Sequence, residues 1–207
     1  MKKISILLAA FVLASPAFAQ VVPGAGYLNS TFTSGNESNP MSGFYVGASI
    51  VMDITGAKGL AFVPGIYGSF VSSSSSSNVF GGLISGSKTS SSIDLNIPAY
   101  FMYTMGLSGG ARFFAYAGPS AQLGLTAPTH SESTIPILGT GKSDGDLYSG
   151  NSGLNRFNVL VGGGIGFGIS KLSVNVGYDY GLMNAYRGSG DTVINRANLH
   201  IGLGYSF

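Results

Sequence analysis

The stretch Leu199-His200-Ile201-Gly202-Leu203-Gly204-Tyr205-Ser206-Phe207 puts Leu199, Ile201, Leu203, Tyr205 and Phe207 on one parity and His200, Gly202, Gly204 and Ser206 on the other. Successive side chains of an extended strand point to opposite faces, so this segment has one greasy face and one small or polar face. The same rule holds upstream. Leu172, Val174, Val176, Tyr178, Tyr180 and Leu182 alternate with Ser173, Asn175, Gly177, Asp179 and Gly181. Before them, Phe157, Val159, Val161, Ile165, Phe167 and Ile169 alternate with Asn158, Gly162, Gly164, Gly166 and Gly168.

Working outward from these three segments, the alternation places strands near 111–126, 91–104, 59–71, 42–53 and 21–32, eight in all. The connections alternate in length. Residues 33–41, 72–90, 127–153 and 186–192 read as longer loops rich in Ser, Gly, Asn and Asp, whereas 54–58, 105–110 and 170–171 are brief. Short turns at one end and long loops at the other are the asymmetry of a membrane barrel with periplasmic turns and outer loops. The expected fold is all-β, an eight-stranded antiparallel up-and-down transmembrane β-barrel with both termini periplasmic.

Composition supports a surface that does not face water. Charged residues make up 9% of the chain, against roughly 25% in a typical soluble protein. Beyond the first residues, no apolar run approaches the roughly 20 residues of a spanning helix without interruption by Gly, Ser, Asn or charge. A closed barrel needs only alternate residues to be apolar. The 33 glycines and scattered aromatics suit that solution. A soluble secreted ligand-binding barrel, the rival fold, would expose the Gly/Ser parity, a poorly soluble surface with so little charge.

Aromatic positions fit two interfacial girdles. Phe101, Tyr103, Phe113, Phe167, Tyr205 and Phe207 fall toward the short-turn end, and Phe44, Phe70, Phe157 and Tyr180 toward the other. The serine run Ser72 to Ser77 reads as a solvated outer loop, because serines bury no apolar area.

The N-terminal residues read as an export signal, removed from the fold. Lys2 and Lys3 precede an apolar core from Ile4 to Ala14, and Ala17-Phe18-Ala19 offers small residues around a cut before Gln20. The expected division is a cleavable signal peptide over 1–19 and an outer-membrane barrel domain over 20–207. Two of the 10 basic residues go with the signal, leaving eight to balance eight acidic ones. Nucleic acid loses its electrostatic footprint. With no cysteine in the chain, disulfides, thiolate metal sites and a lipid anchor on Cys are excluded.

Leu95-Asn96-Ile97-Pro98, Ala117-Gly118-Pro119, Gly177-Tyr178-Asp179-Tyr180-Gly181-Leu182 and Gly202-Leu203-Gly204-Tyr205-Ser206-Phe207 stand in that order along the chain. This series resembles the PorT-like family of outer-membrane β-barrel domains, with its IP, aGP, YxYGL and terminal GYxF strands, across about 90–207 and more loosely from Gly43. The resemblance implies an eight-stranded barrel whose final aromatics, here Tyr205 and Phe207, form a membrane-insertion signature read by the barrel-insertion machinery. It also admits a role beside secretion or surface-assembly proteins. The chain departs from the family at Gly65, where a charged or polar residue often follows proline.

Inward parity collects the few strand charges, Asp94, Arg112, Arg156, Asp179 and Arg196, together with His200. Isolated charges in a confined lumen are costly, so a structural polar network is expected, with Asp94 and Asp179 facing Arg196 or Arg156 and His200 bonded to a neighbour such as Asp179. The run Gly162-Gly163-Gly164-Ile165-Gly166-Phe167-Gly168 misses the dinucleotide register at Phe167. It reads instead as space for bulky neighbours across a narrow lumen. His130 stands beside Ser131 and Glu132, with Asp144 and Asp146 further on. That proximity makes no triad, and Asp144-Gly145-Asp146 lacks the spaced oxygens of a calcium loop. No catalytic, cofactor or metal residue is assigned. The function expected is non-enzymatic: a barrel in the outer-membrane bilayer that is structural or meets partners through its loops, 127–153 above all. A secretion accessory and a narrow pore are the alternatives.

Overall fold

A computed structural model describes residues 19–79, 84–135, 139–149, 153–188 and 192–207. The export signal expected over 1–19 lies outside them except for Ala19. The strands are β1 (Ala19–Ser34), β2 (Glu37–Asp53), β3 (Leu60–Val79), β4 (Ile84–Gly106), β5 (Ala111–Thr126), β6 (Pro128–Ile135), β7 (Gly139–Asp146), β8 (Phe157–Ile169), β9 (Leu172–Gly181) and β10 (Asn195–Tyr205). Eight of them close a ring in the order β1-β2-β3-β4-β5-β8-β9-β10, every neighbouring pair antiparallel. Closure runs from Gly24↔Gly204 to Thr33↔Asn195, so no ring strand leaves a bare edge at the seam.

Parity sorts the faces as the alternation requires. On β10, Leu199, Ile201, Leu203 and Tyr205 are exposed, whereas Gly202, Gly204 and, just past the strand, Ser206 are buried. Along β8 and β9 the exposed set is Phe157, Val161, Ile165, Phe167, Ile169, Leu172, Val174, Val176, Tyr178 and Tyr180. The apolar face therefore looks out, and the glycine-rich face looks into the lumen.

The inward glycines of β8 act through their lack of a side chain. A Cβ on Gly166 would run into the ring of Phe114, one on Gly164 would stand 2.5 Å from the Tyr116 hydroxyl, and one on Gly168 would meet the Arg112 side chain. Small residues on β8 thus seat large ones from the neighbouring strand β5, with which Gly164, Gly166 and Gly168 pair in register at Tyr116, Phe114 and Arg112.

Three loop assignments need correction. Residues 33–41 form no long loop: β1 and β2 pair as far as Ser34↔Glu37 around Gly35-Asn36. Gly35 supplies the left-handed backbone (φ 57°) that a two-residue hairpin requires. The serine run is strand rather than open loop, because Ser72 to Ser77 pair with Ser91 back to Gly86 as β3 and β4 extend past the ring. The long segment 127–153 holds β6 and β7, a hairpin that continues the sheet by pairing β6 with the extension of β4. Outside a bilayer the backbone ladder needs no greasy face, so these strands lack the apolar alternation that marks the others.

At the short-turn end, Ser170 takes the left-handed conformation (φ 52°) in the turn between β8 and β9. Arg112 Nη1 donates to the Ser170 carbonyl at 2.6 Å and fastens that turn.

Candidate functional site

The lumen is built in two storeys. In the one nearer the long loops, Arg196 from β10 donates through Nη2 to Asp94 Oδ2 of β4 at 2.5 Å and through Nε to Ser30 Oγ of β1 at 2.8 Å. Their side chains are 5% and 0% exposed. Asp94 Oδ1 also accepts from Ser92 Oγ and from Tyr148 Oη, each at 3.0 Å. Tyr148 comes from the segment after β7 and folds back onto Gly124, whose missing side chain leaves room for the ring. The Arg196 guanidinium lies 4.9 Å from the Phe32 ring centroid. The buried ion pair is hydrogen-bonded to Ser30, Ser92 and Tyr148, and the tyrosine roofs it at this end of the lumen. The Asp146 carboxylate holds the roof by accepting from the Tyr148 backbone N–H at 2.8 Å.

Below it, Gln122 donates to Asn96 at 2.8 Å and Asn96 to Ser69 at 2.9 Å. The lower storey centres on Asp179 of β9. Tyr100 Oη donates to its Oδ1 at 2.7 Å, and His200 Nδ1 stands 3.5 Å from Oδ2. His200 Nε2 faces Tyr116 Oη at 3.0 Å.

Of the residues singled out from parity, Asp94 and Arg196 are brought together, as are Asp179 and His200. Arg112 sits apart at the short-turn end, donating to Ser170 O and, at 3.3 Å, to Ser206 Oγ. Arg156 does not join the lumen and corrects the parity reading. It precedes β8, is exposed, donates to Leu125 O at 2.8 Å and stacks 5.2 Å from the Tyr148 ring centroid. Strand alternation does not extend to a residue outside the strand. Leu125 marks a bulge, since Ile93 pairs with Thr126 but Asp94 with Gly124. Tyr148 was missed from sequence because nothing periodic marks a ring that folds back from a loop.

Beyond the ring, the extensions of β3 and β4 with β6 and β7 make a four-stranded sheet in the order β3-β4-β6-β7. On it His130 contacts the Asp144 carboxylate through Nδ1 and Glu132 at 3.2 Å through Nε2, and Lys142 Nζ reaches Glu132 at 2.6 Å. Ser131, next to His130 on β6, points to the opposite face by strand alternation, so histidine and serine do not meet as base and nucleophile.

Hydrogen bonds to Asp144 and then Glu132 raise the His130 pKa above its ordinary 6.5, and the bonds from Lys142 and His130 lower that of Glu132 below 4.5. The His130 contribution is present below 6.5 and lost as pH rises through its raised folded value; that of Glu132 is present above 4.5 and lost as pH falls through its lowered one. Protection of the β6 and β7 amides, measured against their intrinsic exchange rates, is therefore expected to be greatest between about 4.5 and 6.5 and to fall on the alkaline side only while His130 is present. An unchanged profile in His130→Ala would show that the cluster does not hold the hairpin.

A family model described as an outer membrane protein beta-barrel domain matches residues 15–187. The chain belongs to that family. This outer-membrane barrel is accordingly a bacterial outer-membrane protein, with the lipid bilayer against its apolar face. It is similar to the solved attachment invasion locus protein Ail of Yersinia pestis, crystallised with the heparin analogue sucrose octasulfate, at 14% identity over 91% of this chain and 99% of that one, TM-score 0.44. Neisserial surface protein A is similar at 12% identity, 91% and 99% coverage and TM-score 0.46. The N-terminal β-barrel domain of Pseudomonas aeruginosa OprF is similar at 13% identity, 89% and 97% coverage and TM-score 0.31. No curated protein sequence matches this outer-membrane barrel.

Proposed function

We propose that this outer-membrane barrel is a sealed, non-enzymatic surface protein that meets its partners outside the cell through the sheet formed by β6, β7 and the extensions of β3 and β4. The observation carrying this reading is that sheet itself. Twenty-residue β3 and 23-residue β4 are far longer than the roughly 9 to 11 residues that cross a bilayer. The excess is ordered as paired strands, a rigid polar platform of the kind on which recognition is carried. Both chain ends then lie in the periplasm, the signal over 1–19 is removed, and Tyr205 and Phe207 present the aromatic ending to the barrel-insertion machinery. The order of the IP, aGP, YxYGL and GYxF segments supports a place near the PorT-like group, whose members include partners of secretion systems.

Protease treatment of intact cells should cut between residues 127 and 153 and leave the ring protected. The outer-membrane fraction should hold a protein whose first residue is Gln20 and whose gel mobility shifts on boiling. Cleavage only after the outer membrane is permeabilised would invert the orientation. Planar bilayers should record no discrete conductance, because Arg196, Asp94 and Tyr148 occlude the lumen; steady single-channel steps would favour the narrow pore instead.

A further inference from the structure

Beneath the roof the lumen is open. A cavity of about 840 Å³ runs from the short-turn end, past Gln20, Lys58 and Arg112, up to Asn96, Leu160 and Asn198. That is the size of a small-molecule site, which is typically about 300 to 1,000 Å³. Its middle is ringed by Tyr45, Tyr67, Tyr100 and Tyr116. Tyr45 and Tyr67 have ring centroids 5.7 Å apart, Tyr100 and Tyr116 5.2 Å, and the edge of Tyr45 meets His200 at 6.0 Å. Gly177 makes room for two of these rings, since a Cβ there would lie 2.5 Å from both the Tyr116 hydroxyl and His200 Nε2.

One acceptor in the cavity wall lacks a donor. Asn198 is 4% exposed and lines the wall, and its Oδ1 has no hydrogen-bond partner among the described residues. It is paired in register with Asp179, so the two side chains stand side by side on the inner face. Asp179 Oδ2 has His200 at 3.5 Å and, among the described residues, no ion pair with arginine or lysine. The Arg196 charge is already matched by Asp94, and Arg112 is held at the mouth by Ser170 and Ser206. An acceptor without a donor, beside a carboxylate that faces a histidine rather than an arginine or lysine, suits a donor that brings positive charge. Tyrosine faces around it attract cations through their quadrupoles.

We propose that the lower storey binds a small organic ammonium ion, its N–H groups donating to Asp179 and Asn198 and its apolar body lying among the tyrosines toward the short-turn mouth. This site is distinct from the projecting sheet and does not depend on what that sheet meets.

The probe is 2-phenylethylammonium, titrated by calorimetry into full-length protein folded in an uncharged sugar detergent, with empty micelles subtracted. The control is 2-phenylethanol, similar in shape and neutral. Saturable one-to-one binding of the cation is expected, at least tenfold tighter than the alcohol. Asp179→Asn and Asn198→Leu should each weaken it at least tenfold while keeping the gel shift of a closed barrel. Should Asp179→Asn fail to fold, the preference of the wild-type protein for cation over alcohol and the loss in Asn198→Leu decide the matter. Equal affinity for amine and alcohol, non-saturable heats, or folded variants that bind like wild type would each overturn the proposal.

Discussion

Replacing Arg196 by methionine is expected to destabilise the barrel by about 3 to 5 kcal/mol, the usual consequence of leaving one charge of a buried pair without its partner. Asp94 would keep Ser92 and Tyr148 as donors but lose the one cation paired with it among the described residues. The carboxylate has no exposed surface to which the charge can retreat. Asp94→Asn combined with Arg196→Met should recover most of the loss, because a neutral pair of similar volume removes the stranded charge. Urea unfolding in lipid vesicles, followed by the gel shift between folded and unfolded forms, gives the three stabilities. A double variant whose loss is the sum of the two singles would show that the pair is not coupled.

The same residues show how far the sequence can be read. Every ring strand was legible because a bilayer on one side and a narrow lumen on the other impose a period of two, with Leu199 to Phe207 as its clearest stretch. Inward parity selects Asp94, Asp179, Arg196 and His200, which the fold sets in contact as Asp94 with Arg196 and Asp179 with His200. It failed at Arg156, which stands just ahead of β8 where no strand geometry holds it. It also gave no warning of β6 (Pro128–Ile135) and β7 (Gly139–Asp146), where neighbouring residues such as Lys142 and Ser143 are both exposed. There the stabilising term is backbone pairing with β4 together with ion pairs such as Lys142 to Glu132, and neither leaves a periodic trace. The roof over the ion pair was hidden for a related reason. Tyr148 reaches Asp94 across a sequence separation of 54 residues, and only the fold brings them together.

Arginine in place of Ile165 should be the most damaging change on the outer face, at about 2 to 4 kcal/mol, the range for a cation at the bilayer midplane of a barrel. Ile165 lies mid-strand on β8, is 50% exposed, and is flanked in register by Ala115 and Val176. No carboxylate stands on that face of the neighbouring strands to meet the guanidinium. Moved to the end of the same face at Ile169, next to the turn of Ser170 and Lys171, the charge can reach the headgroups and should cost about 0 to 1 kcal/mol. This depth dependence is what distinguishes lipid from water as the solvent of the apolar parity. In a soluble barrel an exposed arginine would be nearly neutral at both positions. Vesicle unfolding of Ile165→Arg and Ile169→Arg measures the difference, and equal, small effects at the two sites would contradict the outward assignment of the greasy face.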